Sequence, residues 1–181
     1  MGPVWVRPEV EIRDAARAVF EEHRRRIGEE LPDAEVEHVG ATAVPGAWTK
    51  GDVDLLVRVD PERFGAAVVS LQRLYAVHQP GNWTPTLASF NAVGTSDLPV
   101  GVQLVVAGSA DDALFGPFRD ALIANPALLA EYNALKRSHD GEAYQTYTAV
   151  KGAFVEGVRG QLATAGAQAA EPGRACHTGS Q

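Results

Sequence analysis

The chain has 181 residues, of which 45% are hydrophobic and 22% charged, and its net charge is −7. This length suits one domain with a substantial core, and the acidity argues against binding of extended DNA or RNA, which depends on many basic residues. No apolar run approaches the roughly 20 residues that span a bilayer, and residues 1–11 lack the apolar segment of a signal peptide. We therefore expect a cytoplasmic protein that does not enter membranes.

Hydrophobic periodicity predicts the order helix, strand, strand, helix, strand, strand and three helices. Helices are predicted over 8–30, 61–75, 111–124, 126–138 and 142–163, and strands over 35–39, 53–59, 86–93 and 100–107. The short turn between the last two strands indicates an antiparallel pair. The prediction is an α+β fold with a small mixed β-sheet, helices packed on one face and a helical C-terminal half. Residues 1–164 form this domain, and 165–181 are predicted to be a disordered tail because they lack periodicity.

The most informative stretch is a glycine-bounded turn at 40–46, Gly-Ala-Thr-Ala-Val-Pro-Gly, which is followed by Asp52 and Asp54. Residues i and i+2 of a strand project from one face, so both carboxylates should point towards the turn. Two adjacent carboxylates repel each other, which raises the pKa of at least one unless a cation joins them. Mg²⁺, or Mn²⁺ in its place, suits such oxygen ligands. The alternative is that one acid simply pairs with Lys50 or Arg58.

This arrangement resembles the signature of the nucleotidyltransferase superfamily with the DNA polymerase β fold. In those enzymes the turn holds the phosphates of a nucleotide, and the paired acids hold Mg²⁺. A longer stretch, 38–46 followed by Lys50 and Asp54, is similar to the core motif of the GrpB family (UPF0157): His-Ile-Gly-Ser-Thr-x-Val-Pro-Gly, then Lys, then Ile-Asp. Further positions in the family's order are Phe118-Arg119-Asp120, Asn125-Pro126, Glu131-Tyr132, Leu135-Lys136, Tyr147, Lys151 and Phe154. The likeness covers about residues 5–160 and implies a nucleotidyltransferase-like fold.

The resemblance also implies a function, the Mg²⁺-dependent transfer of a nucleotidyl group from an NTP to a small acceptor of unknown identity. Asp52 and Asp54 would bind the metal as catalytic residues, and Gly40, Ala41 and Thr42 would cradle phosphate. The other implied substrate or phosphate contacts are His38, Lys50, Arg119, Lys136, Tyr147 and Lys151. Two alternatives stay open on the same fold: a non-catalytic nucleotide- or anion-binding protein, and another ATP-dependent ligation or transfer in a biosynthetic pathway.

Three positions depart from the family pattern. Ala41 replaces the usual serine, Asp52 follows Gly51 where the family usually has proline and an apolar residue, and Gln103 stands on a late strand where many relatives carry histidine. Polymerase-like enzymes place a third carboxylate on a comparable strand as the base. Glu37, just ahead of the turn, is the nearest substitute that the sequence offers.

Several implied ligand contacts have a structural alternative. Lys50 is either a phosphate-binding cation or a solvated loop residue, and His38 either contacts a ligand or is held by hydrogen bonds. Arg119 either clamps phosphate or pairs with a neighbouring acid. Tyr147 lies on an apolar helical stripe and suits a core position. Lys151 shares that stripe, where an ammonium needs a carboxylate or a ligand phosphate as its partner.

Overall fold

The computed structural model describes residues 2–92, 94 and 98–169. Its five α-helices are α1 (Arg13–Glu30), α2 (Phe64–Leu74), α3 (Gly116–Ala124), α4 (Pro126–Ser138) and α5 (Tyr144–Ala169). Its seven strands are β1 (Arg7–Pro8), β2 (Glu35–Val39), β3 (Trp48–Thr49), β4 (Val53–Val59), β5 (Ala76–His78), β6 (Leu87–Ala92) and β7 (Val100–Val106). None of the helices in these ranges is long and apolar enough to cross a membrane.

The main sheet has five strands in the order β2-β4-β7-β6-β5. Strands β4 and β7 are parallel, whereas every other neighbouring pair is antiparallel, so the sheet is mixed. The predicted antiparallel pairing of β6 with β7 is therefore confirmed. Strands β1 and β3 form a separate two-stranded ladder.

Helices α1 and α2 cover one face of the main sheet. Alternate residues of β4, among them Val53, Leu55 and Val57, are buried in the same core cluster as Phe20 and Ile27 of α1. The period of two along β4 sends the intervening residues to the opposite face. That opposite face carries Asp54 and lies beneath the C-terminal helices.

The C-terminal helices pack against the loop that follows β2. A second core cluster joins Val44 and Ala47 of this loop to Leu122 of α3 and Tyr132 of α4. Asn133 of α4 fixes the loop further, because its amide donates to the Gly46 carbonyl over 2.9 Å and its oxygen accepts from the Trp48 amide over 2.8 Å. The glycine turn is thus held between the sheet and α4.

Several element boundaries differ from those predicted. The first helix begins at Arg13 rather than at position 8, because residues 7–11 form β1 and a short 3₁₀ turn. Helix α5 continues to Ala169, past position 165 where the tail was predicted to begin. Residues 170–181 of the predicted tail, and position 93 at the end of a predicted strand, lie outside the described residues.

Candidate active site

The glycine turn has the backbone conformation that its sequence predicts. Gly40 has a φ of +75° and Gly46 one of +79°, values that L-residues with side chains rarely adopt. Between them, residues Ala41–Ala43 form a 3₁₀ turn. The Thr42 side chain is buried, and its hydroxyl donates to the Asp52 carbonyl over 2.8 Å. Thr42 therefore ties the turn to the start of β4 instead of presenting its hydroxyl to a ligand.

Asp54 lies directly against this turn. Its register partners are Val39 on β2 and Gly101 on β7, two positions that flank it closely. A Cβ built at Gly101 would lie 3.0 Å from Oδ1 of Asp54, and one built at Gly40 would overlap the Asp54 carboxylate. The two glycines therefore make room for the acid. Asp52 precedes β4 by one residue and faces the same cavity.

The cavity has a volume of about 480 Å³. Its polar end is formed by the acids, by Gly40 and Ala41 of the turn, and by three lysines, which are Lys50, Lys136 and Lys151. Its remaining wall is largely apolar or aromatic and includes Leu114, Phe115, Phe118, Tyr132, Tyr147 and Val155. This size and this mixture of a long apolar wall with a few polar groups are typical of small-molecule sites.

The two carboxylates have different electrostatic surroundings. Burial, and secondly repulsion from Asp52, raise the pKa of Asp54 to about 6, although Lys151 and Lys50 act in the opposite direction. The sequence predicted repulsion as the cause, but burial is the larger one. Asp52 is paired with Lys50, which is the alternative that the sequence left open. Asp54 has no hydrogen bond or ion pair to any residue in the described ranges.

The other two lysines have no carboxylate partner among the described residues. Only 2% of Lys136 is exposed, and its ammonium donates to the Trp48 carbonyl and lies 3.9 Å from the centroid of the Tyr132 ring. Burial, together with the charge of Lys151, lowers the pKa of Lys136 to about 7. Lys151 lies half-buried in the cavity wall. Within the described part of the chain, neither ammonium group therefore forms an ion pair, although Lys151 is close enough to Asp54 to lower the pKa of that acid.

Tyr147 also lines the cavity, in the core position that its place on an apolar stripe suggested. It is buried, and burial raises the pKa of its phenol to about 12. The phenol is therefore neutral at physiological pH and offers a hydrogen bond rather than a charge.

Glu37 and Arg119 do not line the cavity. Glu37 accepts hydrogen bonds from Arg58 over 2.6 Å and from Arg119 over 2.8 Å. Burial acts to raise the pKa of Glu37, but the two guanidinium groups outweigh it and the net pKa is lowered. A carboxylate held in this way is poorly suited to accept a proton from a substrate. Arg119 also donates to Asp120 and to the His38 carbonyl, so its fork is occupied by protein groups.

His38 projects to the opposite face of the sheet. Its Nε2 lies 3.0 Å from the Thr42 hydroxyl, and its ring stacks on Phe20 with centroids 4.8 Å apart. Burial lowers the pKa of His38 to about 4, so the ring is neutral near pH 7. Of the two alternatives for His38, the structure therefore shows a histidine that is held by protein contacts.

Sequence reasoning missed one wall of the cavity. Residues Gly152, Val155, Glu156 and Arg159 of α5 line it together with Lys151. Val155 and Arg159 lie four and eight residues after Lys151, and Gly152 and Glu156 follow one residue behind Lys151 and Val155, so all of them share one face of the helix. This periodicity was a signal that could have found them. Glu156 and Arg159 form an ion pair of 2.7 Å at the end of this row.

The donor set of the cavity fits a divalent cation with two protein carboxylates. Across the residues that the structure describes, no group of three or more His, Cys, Asp or Glu side chains is placed to hold a metal. A two-carboxylate site of this kind suits Mg²⁺, which commonly keeps several waters and takes further oxygens from a substrate phosphate. The observation that supports this fit is Asp54, whose carboxylate fits against two glycines and has no ion pair to any residue within 2–92, 94 or 98–169.

Comparison with known proteins identifies the family. Residues 10–160 match the sequence profile described as GrpB protein. The chain belongs to the GrpB family. A UPF0157 protein of Vibrio cholerae serotype O1 is 35% identical over 152 residues, which cover 83% of this chain and 79% of that protein. A UPF0157 protein of Deinococcus radiodurans is 36% identical over 149 residues, which cover 79% and 74%, respectively. The family assignment made from the core motif is confirmed.

Structural similarity agrees with this assignment. The crystal structure of the conserved protein GrpB from Enterococcus faecalis matches with a TM-score of 0.67 and 22% identity, over 81% of this chain and 92% of that one. This match shows that the chain shares the predicted α+β fold with another GrpB protein. A weaker similarity, with a TM-score of 0.46 and 14% identity, relates 69% of this chain to 38% of Cid1, which has RNA terminal uridylyl transferase activity. At that level the similarity to Cid1 carries no argument about this chain.

Proposed function

We propose that this GrpB protein transfers a nucleotidyl group from an NTP to a small acceptor in a Mg²⁺-dependent reaction. The observation that carries the proposal is that one cavity holds Asp54, Lys136 and Lys151, none of which forms an ion pair with any residue that the structure describes. NTPs are cytoplasmic metabolites, and we place the protein in the cytoplasm. The net charge of −7 leaves extended nucleic acid outside the expected substrates.

Charge complementarity favours a metal–nucleotide complex over a simpler ligand. A cation alone would satisfy Asp54 but leave Lys136 and Lys151 without an anion. An anion alone would satisfy the lysines and add repulsion at Asp54. A divalent cation bound to a polyphosphate carries both kinds of charge, so it compensates both ends of the polar region at once.

The residues of the cavity divide into three roles under this proposal. Asp52 and Asp54 would hold Mg²⁺, which when bound supplies positive charge near the phosphoryl group. Gly40 and Ala41 offer backbone that a phosphate can approach closely, while Lys151, and Lys136 in its protonated form, supply positive charge. The apolar wall, which includes Phe115 and Phe118, would exclude water from the reacting groups.

Two measurements test the proposal. The first is calorimetric titration of the protein with each of the four NTPs, with and without Mg²⁺, and we expect binding that depends on the metal. The second is release of pyrophosphate from NTP, with a cell extract as the source of the acceptor. Asp54→Asn should abolish the release, whereas Asp60→Asn, at an exposed acid outside the cavity, should not. Full activity in Asp54→Asn would exclude this cavity as the catalytic centre.

A nucleotide-binding protein without turnover is the second candidate. It is favoured by the two side chains that were considered in place of a third carboxylate, because neither is suited to act as a base. Glu37 is bound by two arginines, and Gln103, which faces the cavity from β7, accepts a hydrogen bond from Ser89 over 2.6 Å. This candidate predicts Mg²⁺-dependent NTP binding without any pyrophosphate release. Release of another product, such as ADP and phosphate, would instead indicate an ATP-dependent ligation.

A further inference from the structure

The contact between Lys50 and Asp52 is the one ion pair within the described residues that joins two groups of the cavity's polar end. The chain between them turns at Gly51, which has a φ of +103° and whose amide donates to the Thr49 hydroxyl over 3.0 Å. This turn brings the two side chains together. The lysine side chain is 24% exposed and the aspartate 26%, so the pair is shielded from water but is not sealed.

We propose that Lys50 is an internal counter-ion of the metal site, which a divalent cation must displace from Asp52. The proposal rests on the proposed function, since it takes Asp52 and Asp54 as the metal ligands. It adds a link between the binding of the metal and the binding of the nucleotide, because the lysine that leaves Asp52 becomes available to the phosphates. Binding of metal and binding of nucleotide then favour each other.

Competition follows from where the charges lie. An ammonium and a divalent cation both need the carboxylate oxygens, and the Lys50 ammonium already contacts Oδ2 of Asp52. Asp54 has no such partner within the described ranges, so the site is closed at one carboxylate and open at the other. A metal ion can therefore approach Asp54 first, whereas coordination by Oδ2 of Asp52, alone or together with Oδ1, requires that Lys50 move.

Lys50 has a second favourable contact in addition to its ion pair with Asp52. Its ammonium lies 5.3 Å from the centroid of the Tyr144 ring, a distance at which an aromatic face attracts a cation. Lys50 belongs to the cavity wall together with Lys151. A displaced Lys50 therefore remains among the groups that would face a bound polyphosphate. Its ammonium can then contact the ligand in place of Asp52.

The test compares Mn²⁺ binding to three proteins by electron paramagnetic resonance, without nucleotide. Lys50→Met should bind Mn²⁺ roughly five-fold more tightly than the wild type. In the wild type the metal must break a partly shielded ion pair worth about 1 kcal/mol, and the variant has no such pair to break. Lys151→Met is the matched control, because it removes one positive charge near Asp54 without breaking a contact to either acid. Its effect should be clearly smaller.

The outcomes separate this inference from the proposed function. If Mn²⁺ binds the wild type and Lys50→Met is no tighter than Lys151→Met, Lys50 is not a competing counter-ion, although the metal site stands. If none of the three proteins binds Mn²⁺, the metal site and the inference both fail. Lys50→Gln, which keeps a polar side chain, replaces Lys50→Met if circular dichroism shows that the methionine variant is unfolded.

A second readout does not depend on substitution. Acylation of lysines, followed by peptide mass spectrometry, measures how accessible and how free each amine is. Saturating Mg²⁺ should increase the labelling of Lys50 at least two-fold and leave the labelling of Lys151 nearly unchanged. Equal or reduced labelling of Lys50 in Mg²⁺ would mean that the lysine stays on Asp52.

Discussion

The raised pKa of Asp54 predicts that the charge of this residue lowers the stability of the metal-free fold. The carboxyl group has an ordinary pKa of 3.8 and a folded-state pKa of about 6. The folded protein therefore binds the proton more tightly than the unfolded chain does. The stabilisation of the fold that this proton provides is greatest below pH 4, and it is lost as the pH rises through about 6. Asp54→Asn removes this charge with little change in shape.

The magnitude follows from the shift. Each pKa unit corresponds to about 1.4 kcal/mol, so a shift of roughly two units sets an upper limit of about 3 kcal/mol. Asp54 is half-buried and faces a cavity that water can enter, which reduces the expected value to about 2 kcal/mol. Above pH 7 in the presence of EDTA, Asp54→Asn should therefore be more stable than the wild type by about 2 kcal/mol. At pH 4 the two proteins should be nearly equal.

Urea denaturation at several pH values between 4 and 8 measures this difference. Subtracting the two proteins at each pH removes contributions that both share. One of these is His38, whose pKa of about 4 makes both proteins lose stability as the pH falls from 6.5 to 4. Asp60→Asn controls for the loss of one negative charge at an exposed position. A difference for Asp54→Asn that stays flat across this pH range would show that Asp54 is not buried against the turn.

Three further predictions concern other parts of the site. Gly40→Ala should cost at least about 2 kcal/mol by urea denaturation, because the added Cβ overlaps the Asp54 carboxylate, whereas Gly65→Ala, with open space around it, should cost nothing. Glu37→Gln should lower the free energy of unfolding by about 2 kcal/mol, since two guanidinium groups lose their shared anion. It should nevertheless retain pyrophosphate release, and complete loss of release in a folded variant would restore Glu37 as the base. Lys136→Met should be more stable than the wild type by about 1 kcal/mol at pH 7, because burial disfavours the ammonium, and the gain should vanish near pH 10. Its NTP affinity by calorimetry should fall about ten-fold, and unchanged affinity would exclude Lys136 from the phosphate site.

The parts of the site that the sequence predicted well depend on local geometry. A strand sends residues i and i+2 to one side whatever surrounds it, and a glycine with positive φ makes the same turn in many contexts. The relation of Asp54 to Gly40 could therefore be predicted from the spacing of the two residues. The family resemblance also predicted Lys136 and Lys151 as contacts of the same site, and the structure brings both into the cavity wall.

The contacts that the sequence could not predict depend on how distant elements dock. Glu37 and Arg119 are 82 residues apart, and their ion pair exists only because α3 lies beside the end of β2. Glu37 was predicted as the base because it lies just ahead of the turn, and the sequence does not show its partner at that distance. The inward face of α5 was missed for the same reason. Its four-residue spacing is visible in the sequence, but the direction in which it points is set by packing.

The residues that the sequence predicted as ligand contacts form two sets, which differ in whether other protein groups already bind their polar atoms. His38, Thr42, Glu37 and Arg119 each have protein partners, and none of them lines the cavity. Among the described residues, the groups that do line it include a carboxylate without a hydrogen-bond or ion-pair partner, Asp54, and a buried amine with a single carbonyl acceptor, Lys136. A fold that only had to be stable would gain by replacing such groups, because each lowers the stability of the empty protein. Since both line one cavity and their charged forms have opposite signs, the simplest physical reason for both is a ligand that carries both charges itself.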